Sequence, residues 1–435
     1  MTTAPDSTPD STPYDVIAIG CGPFNLGLAA LADGLDDVRL AVLDSRPELT
    51  WHRGLMFGDA MLQVSFLADL VSLVEPAHRL SFLSFLRDND RLYQFYVREK
   101  FHPTRREYET YLRWCAAQLD SLHFGHHVSE VSWTGEVFEL TVERGESTET
   151  FAARHLVVGV GTEPAVPAAL AGLPEERFLH SADYLFRRED LLRAGRVTVV
   201  GSGQSGAECA LDLLRANADG GPAVSWLTRT PSFTPLDYSK LVLEMTTPSY
   251  VDYFHALDEA SRDKLVKEQW RHYKGISSET LDDIHDVLYA RDLTAAPVEL
   301  QCGVAVVSAV ARADGIELTL QHADSRKTFQ HHCDAVVAAT GYRNRPLPFV
   351  AALEDQVRRD AAGRWMINRD HSVETNAALA GRLFVANADL HSHGVAAPDL
   401  GIGAIRNATI LNSVAGREVF RLPKSTAFTT FAIPG

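Results

Sequence analysis

Two short runs have the residue types and spacing to hold a dinucleotide. Gly20-Cys21-Gly22-Pro23-Phe24-Asn25 follows the apolar Val16-Ile17-Ala18-Ile19, and Gly201-Ser202-Gly203-Gln204-Ser205-Gly206 follows Val197-Thr198-Val199-Val200. Each run lies where a buried strand feeds a helix, so each aims helix N-terminal amides at a pyrophosphate. In the first, Gly20 allows the tight turn, Gly22 allows close backbone approach, and Asn25 stands at the third glycine's place. Asp44 lies about 20 residues on, where a carboxylate accepts ribose hydroxyls; it suits FAD or NAD. Arg229 holds the equivalent place after the second run, and a cation there suits the 2′-phosphate of NADPH. A surface arginine and a plain helix start at Ser205 and Glu208 are the simpler readings of that unit. Two such turns in one chain imply two dinucleotides, one to hold an electron pair and one to supply it.

Other chemistries find less support. His391-Ser392-His393 and the group His123, His126, His127 lack a second cluster at a familiar ligand spacing, so no metal site is read. There is no Gly-x-Ser-x-Gly elbow and no phosphate-binding Gly-x-x-x-x-Gly-Lys-Ser/Thr loop. The five cysteines are scattered, with no Cys-x-x-Cys, which disfavours a dithiol-type flavin reductase and fits a reducing, cytoplasmic setting.

The elements that must position these residues read as α/β. The 435 residues, 46% hydrophobic and 23% charged, suffice for two or three domains with real cores. A formal net charge of -16 disfavours nucleic acid and anionic membrane surfaces as partners. No apolar run approaches the ~18 residues that span a bilayer. Residues 1–13, rich in Thr, Ser, Pro and Asp, read as a disordered tail and not as a signal peptide. The first unit predicts a strand, the Gly turn, a helix over 26–35, and a strand over 38–43 that ends at Asp44. Residues 61–120 read as largely helical, with Tyr108, Tyr111, Leu112, Cys115 and Leu119 at helical spacing as core. Strands are expected at 138–142 and 156–160. A second unit starts near Arg196, with its next strand at 224–227 and a polar helical insertion over 236–292. The chain then returns through Ala335–Tyr342 and a strand at 383–387.

Together, Gly20–Asn25, Trp51-His52, Gln63-Val-Ser-Phe-Leu-Ala-Asp-Leu70, Gly201–Glu208, Ala339-Thr-Gly-Tyr342 and His393-Gly394 resemble the N-hydroxylating flavin monooxygenases of siderophore synthesis. The resemblance runs from about residue 14 to the C-terminus. It implies two dinucleotide-binding Rossmann-like domains with a smaller helical substrate region. Residues 14–190 begin the FAD-binding domain. Residues 191–335 form the NADPH-binding domain, with the substrate segment at about 236–292. Residues 336–435 return to the FAD domain and close the active site. The implied reaction turns an aliphatic primary amine into a hydroxylamine with O₂, through a flavin C4a-hydroperoxide. FAD would be held by Gly20, Gly22, Pro23, Phe24, Asn25, Asp44, Trp51 and His52, with Gln63 beside the isoalloxazine. NADPH would be held by Gly201, Ser202, Gly203, Gln204, Ser205, Gly206 and Arg229. The family likeness also implies a homo-oligomer, dimer or tetramer. The reacting amine must be neutral, and no side chain is read as its base.

The chain departs from the amino-acid hydroxylases at three places. Where those enzymes carry a lysine that pairs with the substrate α-carboxylate, this chain has Ala68. Where ornithine enzymes carry an asparagine, Leu243 aligns. After His393-Gly394, where an apolar residue is common, stands Asp399. Lost carboxylate partners and a gained acid point to a diamine such as putrescine, cadaverine or 1,3-diaminopropane, with Asp399 or Glu244 holding the far ammonium. The alternatives are an L-lysine N6- or L-ornithine N5-hydroxylase of the same mechanism, using Lys240 or Lys274 as the cation, and a non-catalytic flavin-binding protein. Asp399 as a helix-start residue is the plainer reading of that position.

Overall fold

The computed structural model describes residues 12–292 and 294–433. The expected tail at 1–13 therefore lies almost wholly outside the described residues. Two sheets, one mixed and one parallel, carry the two glycine turns. In the first sheet, Tyr14–Ile19 pairs in parallel with Leu40–Asp44 on one side and with the second half of Ser147–Val158 on the other. Leu122–Phe124 extends it beyond Leu40–Asp44. The long strand Ser147–Val158 changes partners along its length. Its first half forms an antiparallel meander with Phe138–Arg144, which pairs on to His127–Trp133, and its last residues pair in parallel with Leu383–Val385. The central strands are buried on both faces, so they are continuous Val/Ile/Leu runs without alternation.

The second sheet is parallel throughout, in the order Val298–Gln301, Ala223–Leu227, Arg196–Val200, Ala335–Ala338, Phe178–His180. A three-stranded antiparallel sheet over Val304–Arg312, Gly315–His322 and Thr328–Cys333 covers it. Two chain crossings join the sheets: Thr162–Pro164 leads away from the first and Tyr342–Asn344 leads away from the second, and the two pair antiparallel.

One expectation is corrected. Residues 61–81 contain no helix; helices occupy Phe82–Asp88, Leu92–Arg98 and Arg105–Ala116. The irregular stretch is organised by the buried Asp69, whose carboxylate accepts from the Val71 and Ser72 amides, the Ser72 hydroxyl and the Phe82 amide. An Asx turn of this kind competes directly with helical hydrogen bonding. The Arg105–Ala116 helix is as predicted, with Tyr108, Tyr111, Leu112 and Cys115 buried. The insertion is a cluster of short helices, chiefly Pro248–His255, Glu259–Glu268 and Ser278–Ala290.

Candidate active site

The first turn is built around a close backbone approach. Gly20 has φ +89, and a Cβ on it would stand 2.7 Å from the Gly159 carbonyl oxygen. Gly22 is the extended N-cap of Pro23–Ala32, and a Cβ there would meet nothing within 4 Å. The space before the helix is thus open, and the first-turn amides of Phe24 and Asn25 have no intrahelical acceptor. Asn25 does what a third glycine does not: its amide donates to Ile19 and Gly20 carbonyls at 3.2 and 2.7 Å and ties the strand to the helix.

Asp44 lies at the end of its strand, as expected, but its carboxylate serves the turn itself. It accepts the Cys21 amide at 2.6 Å and Arg46 through the amide, Nε and Nη2. A carboxylate offers about four lone-pair sites; with these in use, a ribose hydroxyl reaches Asp44 only when Arg46 moves. Trp51 packs edge-on to His52 and against Tyr108. His52 itself is exposed and lines the cleft described below.

The second turn repeats the geometry. Gly201 has φ +119 and leaves no room for a Cβ, which would stand 2.1 Å from the Ala339 carbonyl oxygen. Gly203 is the extended N-cap of Gln204–Ala218. The Ser202 hydroxyl bonds Thr228 and Thr230 at 2.6 and 3.2 Å. Arg229 is exposed beyond them and, among the described residues, makes no ion pair. Its charge depresses the pKa of Lys274, after burial, which is the larger cause. Two cations therefore share the space beside this turn. Both turns have the open helix start, the obligatory glycine and the backbone approach that a dinucleotide needs.

A cleft opens beside the second turn, lined among others by Trp51, His52, Gln63, Arg105, Gln204, Tyr238, His272, Tyr342 and Asp399. Across it Gln63 donates to Gln204 Oε1 at 3.2 Å. The same Oε1 accepts the Ser277 amide, while Gln204 Nε2 donates to Glu208 and Thr280. Glu208 in turn receives Arg105 bidentately, at 2.6 and 2.8 Å. Arg105 and Glu208 are 13% and 7% exposed, so this is a largely buried ion pair joining the two units. Sequence reading missed it because the partners are separated by 103 residues.

The expected substrate residues divide. Asp399 lines the cleft; its carboxylate accepts the Gly401 amide at 2.7 Å and the Tyr238 hydroxyl at 3.3 Å, and burial pushes its pKa up. It also caps the Leu400–Ile402 turn, as the plainer reading of this residue expects. Ala68 is buried beside that turn, with its methyl 4.0 Å from where a Cβ on Gly401 would lie. Leu243 and Glu244 are not brought into the cleft. The Glu244 carboxylate accepts the Phe428 and Thr429 amides at 2.9 and 2.8 Å, which hold its pKa low and fix the C-terminal segment.

Behind the cleft lies a buried network that sequence reading also missed. His371 Nδ1 bonds Asp389 at 2.9 Å, the His393 ring stacks on His371 at 4.1 Å, and Arg406 pairs with Asp389 at 3.4 Å. These charges hold the Asp389 carboxyl far below the ordinary range despite its burial. The two histidines and the aspartate bring ligating atoms within 4.8 Å of one another, but Arg406 already supplies the positive charge that a cation would. Arg406 also lies over the Phe24 ring at 4.6 Å, so the network braces the first turn against the His393–Asp399 segment.

Residues 12–344 match the family described as L-lysine 6-monooxygenase/L-ornithine 5-monooxygenase. The chain is 39% identical over 438 residues to the putrescine N-hydroxylase of Shewanella oneidensis, covering 99% of this chain and 86% of that protein. The crystal structure of a cadaverine monooxygenase of Erwinia amylovora, bound to FAD, is similar with a TM-score of 0.94 at 37% identity, covering 98% of this chain and 100% of that one. An ornithine N-hydroxylase of Kutzneria sp. 744, solved with reduced FAD, NADP⁺ and L-ornithine, has a TM-score of 0.86 at 28% identity, covering 93% and 99%.

Proposed function

The chain belongs to the L-lysine 6-monooxygenase/L-ornithine 5-monooxygenase family, and we propose that it N-hydroxylates one amine of an aliphatic diamine for hydroxamate siderophore synthesis. It is an FAD- and NADPH-dependent monooxygenase. The net reaction takes the amine, O₂, NADPH and a proton to the hydroxylamine, NADP⁺ and water. When bound, FAD supplies oxygen activation and NADPH supplies the electron pair.

The protein's own residues do the rest. The two helix starts, at Gly22 and Gly203, would receive the pyrophosphates, and Arg229 with Lys274 would receive the 2′-phosphate. Gln63, positioned by its bond to Gln204, would lie beside the isoalloxazine. The single observation that carries the substrate reading is Asp399: a carboxylate faces the cleft, and a methyl, Ala68, lies beside its turn. An ammonium placed on Asp399 restores the charge balance that burial disturbs, whereas a substrate carboxylate would meet a like charge. The reading includes a cytoplasmic site of action, supported by five free cysteines. No described helix is long and apolar enough to cross a membrane. It also includes a homo-oligomer, supported by the Leu92–Arg98 helix, which buries no residue and leaves Tyr93, Tyr96 and Val97 70–80% exposed.

The test is a panel of putrescine, cadaverine, 1,3-diaminopropane, ornithine and lysine, scored by hydroxylamine product and not by NADPH oxidation alone. A diamine should give the highest kcat/KM. Preference for ornithine or lysine refutes the substrate reading, and flavin binding without product from any amine refutes the enzyme reading.

A further inference from the structure

Asp399 gives the cleft a negative charge, but charge alone does not distinguish a primary ammonium from other cations. The groups around the carboxylate decide that, and two stretches of chain meet there. Tyr238 stands on the segment 235–238, which is tied to residues 271–276 by the Pro235–Ile276 bridge, by the Leu236 amide on the Ile276 carbonyl at 2.7 Å and by the Asp237 amide on the Arg271 carbonyl at 3.1 Å. Gly275 lets this segment come close, since a Cβ there would stand 2.3 Å from Leu236. Asp399 is fixed separately, by its own amide on the Ala396 carbonyl and by its bond to the Gly401 amide. The two residues are 161 apart in sequence, and both line the cleft. Val395, Pro398 and Leu400 line it as well and offer no polar side chain. Tyr273, another phenol of the lining, donates to the Val266 carbonyl at 3.2 Å.

The donors and acceptors at this point can be counted. The Tyr238 hydroxyl donates to Asp399 Oδ2 at 3.3 Å, while Oδ1 takes the Gly401 amide at 2.7 Å. A carboxylate accepts about four bonds, so about two places remain, and the phenol oxygen keeps its own lone pairs. An alkylammonium brings three N–H donors and no acceptor. With its nitrogen about 2.8 Å from both Oδ2 and the phenol oxygen, it would see the two at an angle of roughly 70°. Two N–H bonds of a tetrahedral nitrogen then reach them with about 150° at hydrogen, at the edge of the favourable range. One ammonium can therefore bond both oxygens at once. A substrate carboxylate brings no donor and meets a Tyr238 hydroxyl that is already engaged.

We propose that Tyr238 and Asp399 form a two-point receptor for the far ammonium, in which Asp399 supplies the charge and the Tyr238 oxygen a second acceptor. Tyr238 thereby selects a primary ammonium over an alkylated or uncharged end. The assignment rests on the diamine reading and makes Tyr238 a specificity-determining residue, with no part in the chemistry at the reacting nitrogen.

The experiment compares FAD-loaded wild type with Y238F, scored by hydroxylamine product. Three amines are used: the best diamine of the panel, the monoamine of the same length, and that diamine with its far nitrogen dimethylated. The last keeps the charge but has a single N–H. In Y238F the diamine kcat/KM should fall at least tenfold, the weight of one hydrogen bond to a charged group. The loss should lie in KM, with kcat within threefold. The monoamine and the dimethylated diamine should each change by less than threefold, and the melting temperature and anaerobic flavin reduction by NADPH should match wild type. An unchanged diamine value overturns the proposal. So does an equal loss on all three amines, which marks packing, or an equal loss on both charged diamines, which marks a Tyr238 that only aims Asp399. If Y238F does not fold, wild type decides: equal kcat/KM for the diamine and its dimethylated form overturns the receptor, and a penalty of at least tenfold supports it. Preference of wild type for ornithine or lysine is a failure of the diamine reading, seen before any variant is made, and the receptor falls with it.

Discussion

Replacing Asp399 by Asn should separate substrate recognition from stability, and the two effects should have opposite signs. Asparagine keeps the shape, the acceptor for the Gly401 amide at 2.7 Å and a partner for the Tyr238 hydroxyl at 3.3 Å; only the charge is lost. Leaving one member of a buried ion pair unpartnered costs about 3–5 kcal/mol. The cleft is partly open, so the lower end applies: about 3 kcal/mol, or roughly 150-fold in kcat/KM for a diamine. A monoamine of the same length has no far ammonium, so its kcat/KM should change by less than about threefold, which makes the comparison a cycle between side chain and substrate. Stability should move the other way. Burial raises the Asp399 pKa above its unfolded value, so the native state binds its proton more tightly. Stability is therefore lost as pH rises from the unfolded pKa through the folded one. The ligand-free Asn variant should melt above wild type at pH 7, with the gap closing on acidification below the unfolded pKa. Product assays on the amine pair, with melting curves at several pH values, decide the matter. Diamine kcat/KM within threefold of wild type would refute the reasoning. E244Q serves as the control: its carboxylate holds the 428–429 amides, so diamine selectivity should be unchanged.

Two further outcomes follow from the geometry. E208Q removes the charge that faces Arg105 in a largely buried pair, and should lower stability by about 3 kcal/mol, read by denaturant unfolding; in the double variant R105M/E208L the loss should be smaller than the sum of the single losses. Arg229→Ala should raise KM for NADPH roughly tenfold and leave KM for NADH unchanged, as expected for one charge-assisted bond to a 2′-phosphate.

The local chemistry was legible along the chain. Both glycine turns were visible because a turn of this kind needs residues without a Cβ at fixed offsets from an apolar run, and Gly20 and Gly201 have the positive φ and close approach that this requires. The helix around Tyr108, Tyr111 and Cys115 was visible because one face is buried and the 3.6-residue period follows. The antiparallel sheet over 304–333 had a readable signal as well, the alternation of Ile316, Leu318 and Leu320, which was not taken up. The absence of helix between 61 and 81 was harder to see, since it depends on one buried carboxylate, Asp69, turning the backbone amides toward itself.

Which residues meet was decided by tertiary structure alone. The sequence supplied two candidate acids for the substrate, Asp399 and Glu244, and no spacing distinguishes them; only the fold puts one in the cleft and the other against the C-terminal segment. Arg105 with Glu208, Gln63 with Gln204, and Asp389 with His371 and Arg406 join residues far apart in the chain. Such pairs leave no periodicity, because a hydrogen bond or ion pair depends on distance in space and not on separation along the chain.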